Sequence, residues 1–108
     1  MGLLIAIARK VQLNSQRFNY EHKLMVINRA KSDLASKISD YQMSQTDYEA
    51  DSPEAKTLQE RIERLNQVDK RLDEQLTKIQ TQLDLIEAEY GSCDQMIQSN
   101  IQRIYAHH

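Results

Sequence analysis

Residues 58–90 read LQERIERLNQVDKRLDEQLTKIQTQLDLIEAEY, and the apolar side chains in this stretch recur at alternate steps of four and three. Carried on to the end of the chain, the series is Leu58, Ile62, Leu65, Asp69, Leu72, Leu76, Ile79, Leu83, Ile86, Tyr90, Cys93, Ile97, Asn100 and Ile104. Only Asp69 and Asn100 interrupt its apolar character. A period of 3.5 residues held this long keeps one stripe facing one partner helix, which is how a coiled-coil seam is built. Gly91-Ser92 falls inside the series, and glycine favours a helix C-terminal cap. The heptad phase nevertheless passes through it unchanged, which predicts continuity with a soft spot.

The first half carries the same alternating step in Leu3, Ala6, Lys10, Leu13, Arg17, Tyr20, Leu24, Ile27, Lys31, Leu34, Ile38, Tyr41, Gln45 and Tyr48. Folding the chain at residues 49–52 and matching positions whose numbers sum to 99 or 100 sets Tyr41 on Leu58, Ile38 on Ile62, Leu34 on Leu65, Ile27 on Leu72 and Leu24 on Leu76. The same register brings Lys31 opposite Asp69, the acidic interruption of the second series. A buried Lys-Asp layer adds little net stability, because desolvation offsets the attraction, but it can set register. Stability is expected from the Leu and Ile layers, at roughly 1.5 to 3 kcal/mol per fully buried side chain. The fold expected is all-α: a long two-helix antiparallel coiled-coil hairpin, with helices over about 3–48 and 53–105, packing into a larger bundle or oligomer. Residues 1–108 then form one hairpin domain.

The bend is marked by Glu49-Ala50-Asp51-Ser52-Pro53-Glu54. Ser52 suits an N-cap, Pro53 the first helical position, and Glu54 adds favourable charge in the first turn. Elsewhere turn-forming residues are scarce, with two glycines and one proline in 108 residues. The straight-chain residues that dominate keep their rotamer freedom best in helices.

The net charge of -2 conceals an asymmetry. Residues 1–48 hold seven basic side chains against four acidic ones, and residues 49–108 hold seven against twelve. The two halves therefore attract each other before any outside polyanion need be invoked. Cys93 is the only cysteine, so a disulfide scaffold of the secreted kind is excluded within the chain. The apolar start, Leu3 to Ala8, is far short of the roughly 20 residues that span a bilayer and lacks a preceding basic region. A cytoplasmic location is the default expectation, with export by a signal-peptide-independent route left open.

Toward the termini the seam is expected to weaken, because Lys10 and Arg17 sit on it, and a second stripe appears beside it, made of Leu4, Ile7, Val11, Phe18 and Met25, with Leu85, Met96 and Ile101 lying off the seam of the second half. Two helices cannot bury both stripes, so a third helical surface is implied. Contiguous exposed apolar patches mark interfaces, and these eight residues form the expected docking surface. The partner expected is a further copy of the chain or a helix of another protein.

No constellation for catalysis is present. The chain has no glycine-rich phosphate loop, CxxC, HExxH or nucleophile elbow. No enzyme activity, cofactor or small-molecule substrate is expected. His22, His107 and His108 have no second ligand at helical spacing, and the terminal pair reads as a frayed tail or a tag remnant rather than a metal site. Cys93, between Glu89 and Asp94, lacks the electropositive setting of a reactive thiol and reads as a small seam residue opposite Ala6. The basic residues Arg9, Lys10, Arg17, Lys23, Arg29 and Lys31 could meet phosphates, but an acidic partner helix would partly neutralise their field. An interfacial membrane helix wants basic residues along its polar face, and Leu3 to Ala8 has none.

With Met1-Gly2-Leu3, Ala8-Arg9, the Ala30-Lys31 and Leu34-Ala35 pairs and the Ser52-Pro53 turn, the chain resembles the small helical-hairpin proteins of bacterial type III and flagellar export systems. Such proteins bend at a polar turn and work through their end regions. To the secreted WxG hairpins it is similar in size alone, because its turn has no Trp-x-Gly. The resemblance implies a secretion- or filament-associated structural subunit. The function expected is assembly through helix packing. The alternatives are an adaptor or chaperone for a client's amphipathic helix, and nucleic-acid binding through the basic first helix.

Overall fold

The computed structural model describes residues 2–106, and the readings placed on His107 and His108 lie outside them. The described chain is an all-α hairpin of two helices, α1 (Gly2–Gln45) and α2 (Pro53–Ala106). Among the described residues there is no strand. Every seam position expected on α1, from Leu3 to Gln45, and on α2, from Leu58 to Asn100, is buried or half-buried. Their neighbours along each helix are mostly exposed, as a 3.5-residue seam stripe requires.

The bend differs from the expected one. α1 stops at Gln45 rather than near Tyr48, and residues 46–52 make the connection. Thr46, Asp47 and Tyr48 donate their amides to the carbonyls of Met43, Ser44 and Gln45, three residues back, and the Thr46 hydroxyl also reaches the Met43 carbonyl at 2.6 Å. A Thr hydroxyl competes for backbone partners in this way, and three-residue bonding tightens the chain out of the α path. Tyr48 is consequently exposed and off the seam. Ser52 caps α2 as expected: the Ala55 amide donates to its Oγ at 3.2 Å, with Pro53 next in line. The helix then continues through Gly91 without a break. Gly91 is exposed, a side chain there would meet nothing within 4 Å, and its backbone angle is that of an ordinary residue, so the phase held by Tyr90 and Cys93 decides the conformation.

The chain divides into two compact units, Met1–Lys23 with Lys78–His108, and Leu24–Thr77. In the unit that contains the bend, Ala55 and Ile62 are the buried apolar residues. Gln45 donates there to the Ala55 carbonyl and to Gln59 Oε1 at 3.0 Å.

In the unit that contains the termini, Leu13, Ile86 and Cys93 form a buried cluster, with Tyr20 and Tyr90 packed against it. Ala6, Ile79 and Leu83 are buried as well. The sequence reading expected the seam to weaken here, because Lys10 and Arg17 occupy seam positions. Instead Lys10 Nζ sits 5.0 Å from the centre of the Tyr90 ring and reaches Asp94 at 2.6 Å, while the Arg17 guanidinium lies 5.4 Å from the same ring. Long basic side chains cover apolar surface with their stems and deliver their charge to the edge, so two cations are accommodated beside a closed cluster. The seam ends early in one respect: Ile104, expected to be in it, is exposed.

Candidate interaction surface

In the bend-containing unit, Lys31 is the centre of a polar layer. Its Nζ lies 3.2 Å from Asp69 and bonds Asp73 as well. The hydrogen bond it donates to Asp73 raises the lysine pKa above its ordinary value of 10.5; burial opposes that rise, and the bond to Asp69 and the charges of both carboxylates add to it. Asp73 did not figure in the sequence reading. Its signal was present: it stands one helical turn after Asp69, on the flank of the seam. In the other unit Lys10 has the same kind of site, its pKa raised first by the hydrogen bond to Asp94 and further by the charges of Asp94 and Tyr90. Lys10 and Lys31 are separated by three heptads, as are Asp94 and Asp73. Gln45 and Gln59 obey the same rule as those two pairs, since all three have numbers that sum to 104. In the bend-containing unit the Lys31–Asp73 ion pair and the Gln45–Gln59 bond therefore share one register, and Lys10 with Asp94 obeys the same sum in the termini unit.

The opposite flank of the termini unit carries Arg9, which forms a forked pair with Glu89, its Nη2 lying 2.8 and 2.9 Å from the two carboxylate oxygens. This pair too was absent from the sequence reading. The two flanks decide how the expected docking residues are distributed. Val11 is one residue, about 100° of helix, beyond Lys10 and away from Arg9. Leu4 and Phe18 stand one heptad to either side of Val11, and Ile7 one turn before it. These four consequently form one outward stripe on the Lys10 flank. Ile101 stands one heptad after Asp94 and shares that flank. Leu85 and Met96, one turn before and one heptad after Glu89, lie on the other flank and do not join the stripe. Met25 continues the α1 heptad repeat but belongs to the bend-containing unit, where it is exposed. All eight residues are exposed, Phe18 and Leu4 most of all at 71% and 70%.

Two open clefts flank Tyr48 at the bend, the larger of about 360 Å³ and edged by Tyr41, Glu54 and Arg61. Arg61 lies over the Tyr41 ring at 6.0 Å, so cation and ring already satisfy each other. Among the described residues no group of three or more His, Cys, Asp or Glu could hold a metal ion, and no helix is long and apolar enough to cross a membrane. Cys93 is buried in the end cluster. Comparison with known protein families, known proteins and solved structures found no match.

Proposed function

We propose that this chain is a non-enzymatic assembly protein, a helical hairpin whose α1 offers its outward stripe to another helix. The observation that carries the reading is the repeat itself: Leu4, Val11 and Phe18 recur at intervals of seven, are all more than half exposed, and are joined by Ile7 on the same flank. Scattered surface apolar residues are ordinary, whereas a heptad-spaced row is the surface a helix docks on. The polar layer at Lys10 serves this role by fixing the register of the two helices in the termini unit, where the row lies. A secretion- or filament-associated role belongs to the same proposal and rests on the resemblance alone.

The test compares the native chain with Phe18→Glu in extracts of the cells that make it, by size-exclusion chromatography. The native chain is expected to elute well above its 12.6 kDa and the variant to fall back toward it. Elution of both at the monomer position would overturn the proposal. Circular dichroism of the purified variant, which alters an exposed position, separates loss of docking from loss of fold.

A further inference from the structure

Resting on that reading and sharpening it, we infer that the occupant of the outer stripe is the same stripe of a second copy of this chain, the two α1 helices running parallel over residues 4–18. The spacing sets Leu4, Val11 and Phe18 at one heptad position and Ile7 and Asn14 at the other. Parallel pairing then stacks each residue on its own copy. The one polar layer is Asn14 on Asn14, whose amides can donate and accept reciprocally, and a lone seam asparagine is a known means of fixing parallel register. A non-identical helix would need a matching amide at that one layer.

Antiparallel pairing has a different outcome. Its layers set one heptad position against the other, so that in the register that keeps Phe18 in the contact Leu4 meets Glu21 and a carboxylate enters the apolar seam. In the parallel arrangement Glu21 falls beyond Phe18 and ends the contact. Glu21 also lies 4.0 Å from Arg17 on its own helix.

Charge on the edges of the stripe agrees with a self-contact. Parallel packing brings Lys10 near Ser15 of the copy and Arg17 near His22, so that neither fixed cation meets its own kind. Lys10 is moreover engaged by Asp94 at 2.6 Å, and Arg17 donates to Asn14 Oδ1 at 2.6 Å. The available area is also sufficient. Leu4, Ile7, Val11, Phe18 and Ile101 are between 40% and 71% exposed. Two such faces together offer on the order of 1,000 Å², about where a specific interface begins.

The experiment uses the full purified chain with Cys93→Ala and either Ile7→Cys or Leu4→Cys, both at exposed positions, under mild oxidation. Light scattering on the same chain without the new cysteine gives its mass over a range of concentrations. The expected result is a concentration-dependent dimer, lost in Val11→Glu with Phe18→Glu, and an inter-chain disulfide at either cysteine. Parallel helices bring each position onto itself, whereas antiparallel pairing sets Ile7 and its copy many ångströms apart. A dimer without the cross-link at either position would overturn the parallel pairing. A purified chain that stays monomeric while the native extract shows a larger, Phe18-dependent species would overturn the second copy as occupant and leave the assembly reading standing. Monomers in both would remove both.

Discussion

At the scale of single residues, Lys10 and Lys31 show how a charge is kept at a seam. Each engages carboxylates across the pair, Asp94 for Lys10 and Asp73 with Asp69 for Lys31. Each lysine pKa is raised above 10.5 in the folded chain. The folded state thus holds these protons more tightly than the unfolded one. The stability they contribute is fully present below the unfolded value of 10.5, and it drains away as pH rises through the higher folded value. Thermal melts of the native chain are expected to fall through this alkaline window more steeply than those of Lys10→Met with Lys31→Met. Parallel pH profiles for the two proteins would show that the bonds do not distinguish folded from unfolded chain. Lys31 against Asp69 was legible from the heptad register alone. Asp73 and the Lys10–Asp94–Tyr90 group were not, because Asp73 and Asp94 lie on the flank, where the reach of a long side chain rather than seam periodicity selects the partner.

At the scale of the element, α2 is the better specified helix, beginning at a cap and carrying Glu54 in its first turn and Arg103 in its last. α1 has neither acidic residues in its first turn nor basic ones in its last, and it is apolar on two faces, the seam and the outer stripe. The Ser52 hydroxyl is therefore expected to matter out of proportion to its size. Ser52→Ala should destabilise the chain by about 1 kcal/mol, read as a lower midpoint in urea with an unchanged slope, whereas Ser52→Asp should keep most of the native stability. Equal midpoints for all three would mean that the turn is held by Pro53 and the backbone alone. The start of α2 was legible to the residue because Ser-Pro-Glu states a cap, a fixed φ and a favourable charge in succession. The end of α1 was overrun by three residues, since seam periodicity says only where a helix is buried. The three-residue amide bonds of Thr46, Asp47 and Tyr48 and the Thr46 hydroxyl on the Met43 carbonyl, which end it, leave no trace in the period.

At the scale of the whole molecule, the seam was readable from Leu3 to Gln45 and from Leu58 to Asn100, but the depth of burial along it was not. Among the described residues, six of the eight buried apolar ones, Ala6, Leu13, Ile79, Leu83, Ile86 and Cys93, lie in the termini unit. Its two seam cations are expected to weaken that end, but Tyr20 and Tyr90 pack against the cluster and the Tyr90 ring takes both Lys10 and Arg17 on its face. In the Leu24–Thr77 unit, Leu34 and its neighbours in the seam are half-buried. A two-helix seam leaves such positions partly wet, and the cost of truncation scales with the atoms withdrawn from water and the void left behind. Leu13 is fully buried, so Leu13→Ala should cost about 3 kcal/mol, and Leu34→Ala distinctly less. Amide hydrogen exchange supplies the independent check. In the native chain the slowest amides are expected around Leu13 and from Ile79 to Cys93, with faster exchange around Leu34, because local opening follows the contacts that must be broken. Leu13→Ala should then accelerate exchange first in the residues opposite it on α2, near Ile86. Equal costs for the two truncations, or slowest exchange around Leu34, would mean that stability is not concentrated in the Leu13–Ile86–Cys93 cluster.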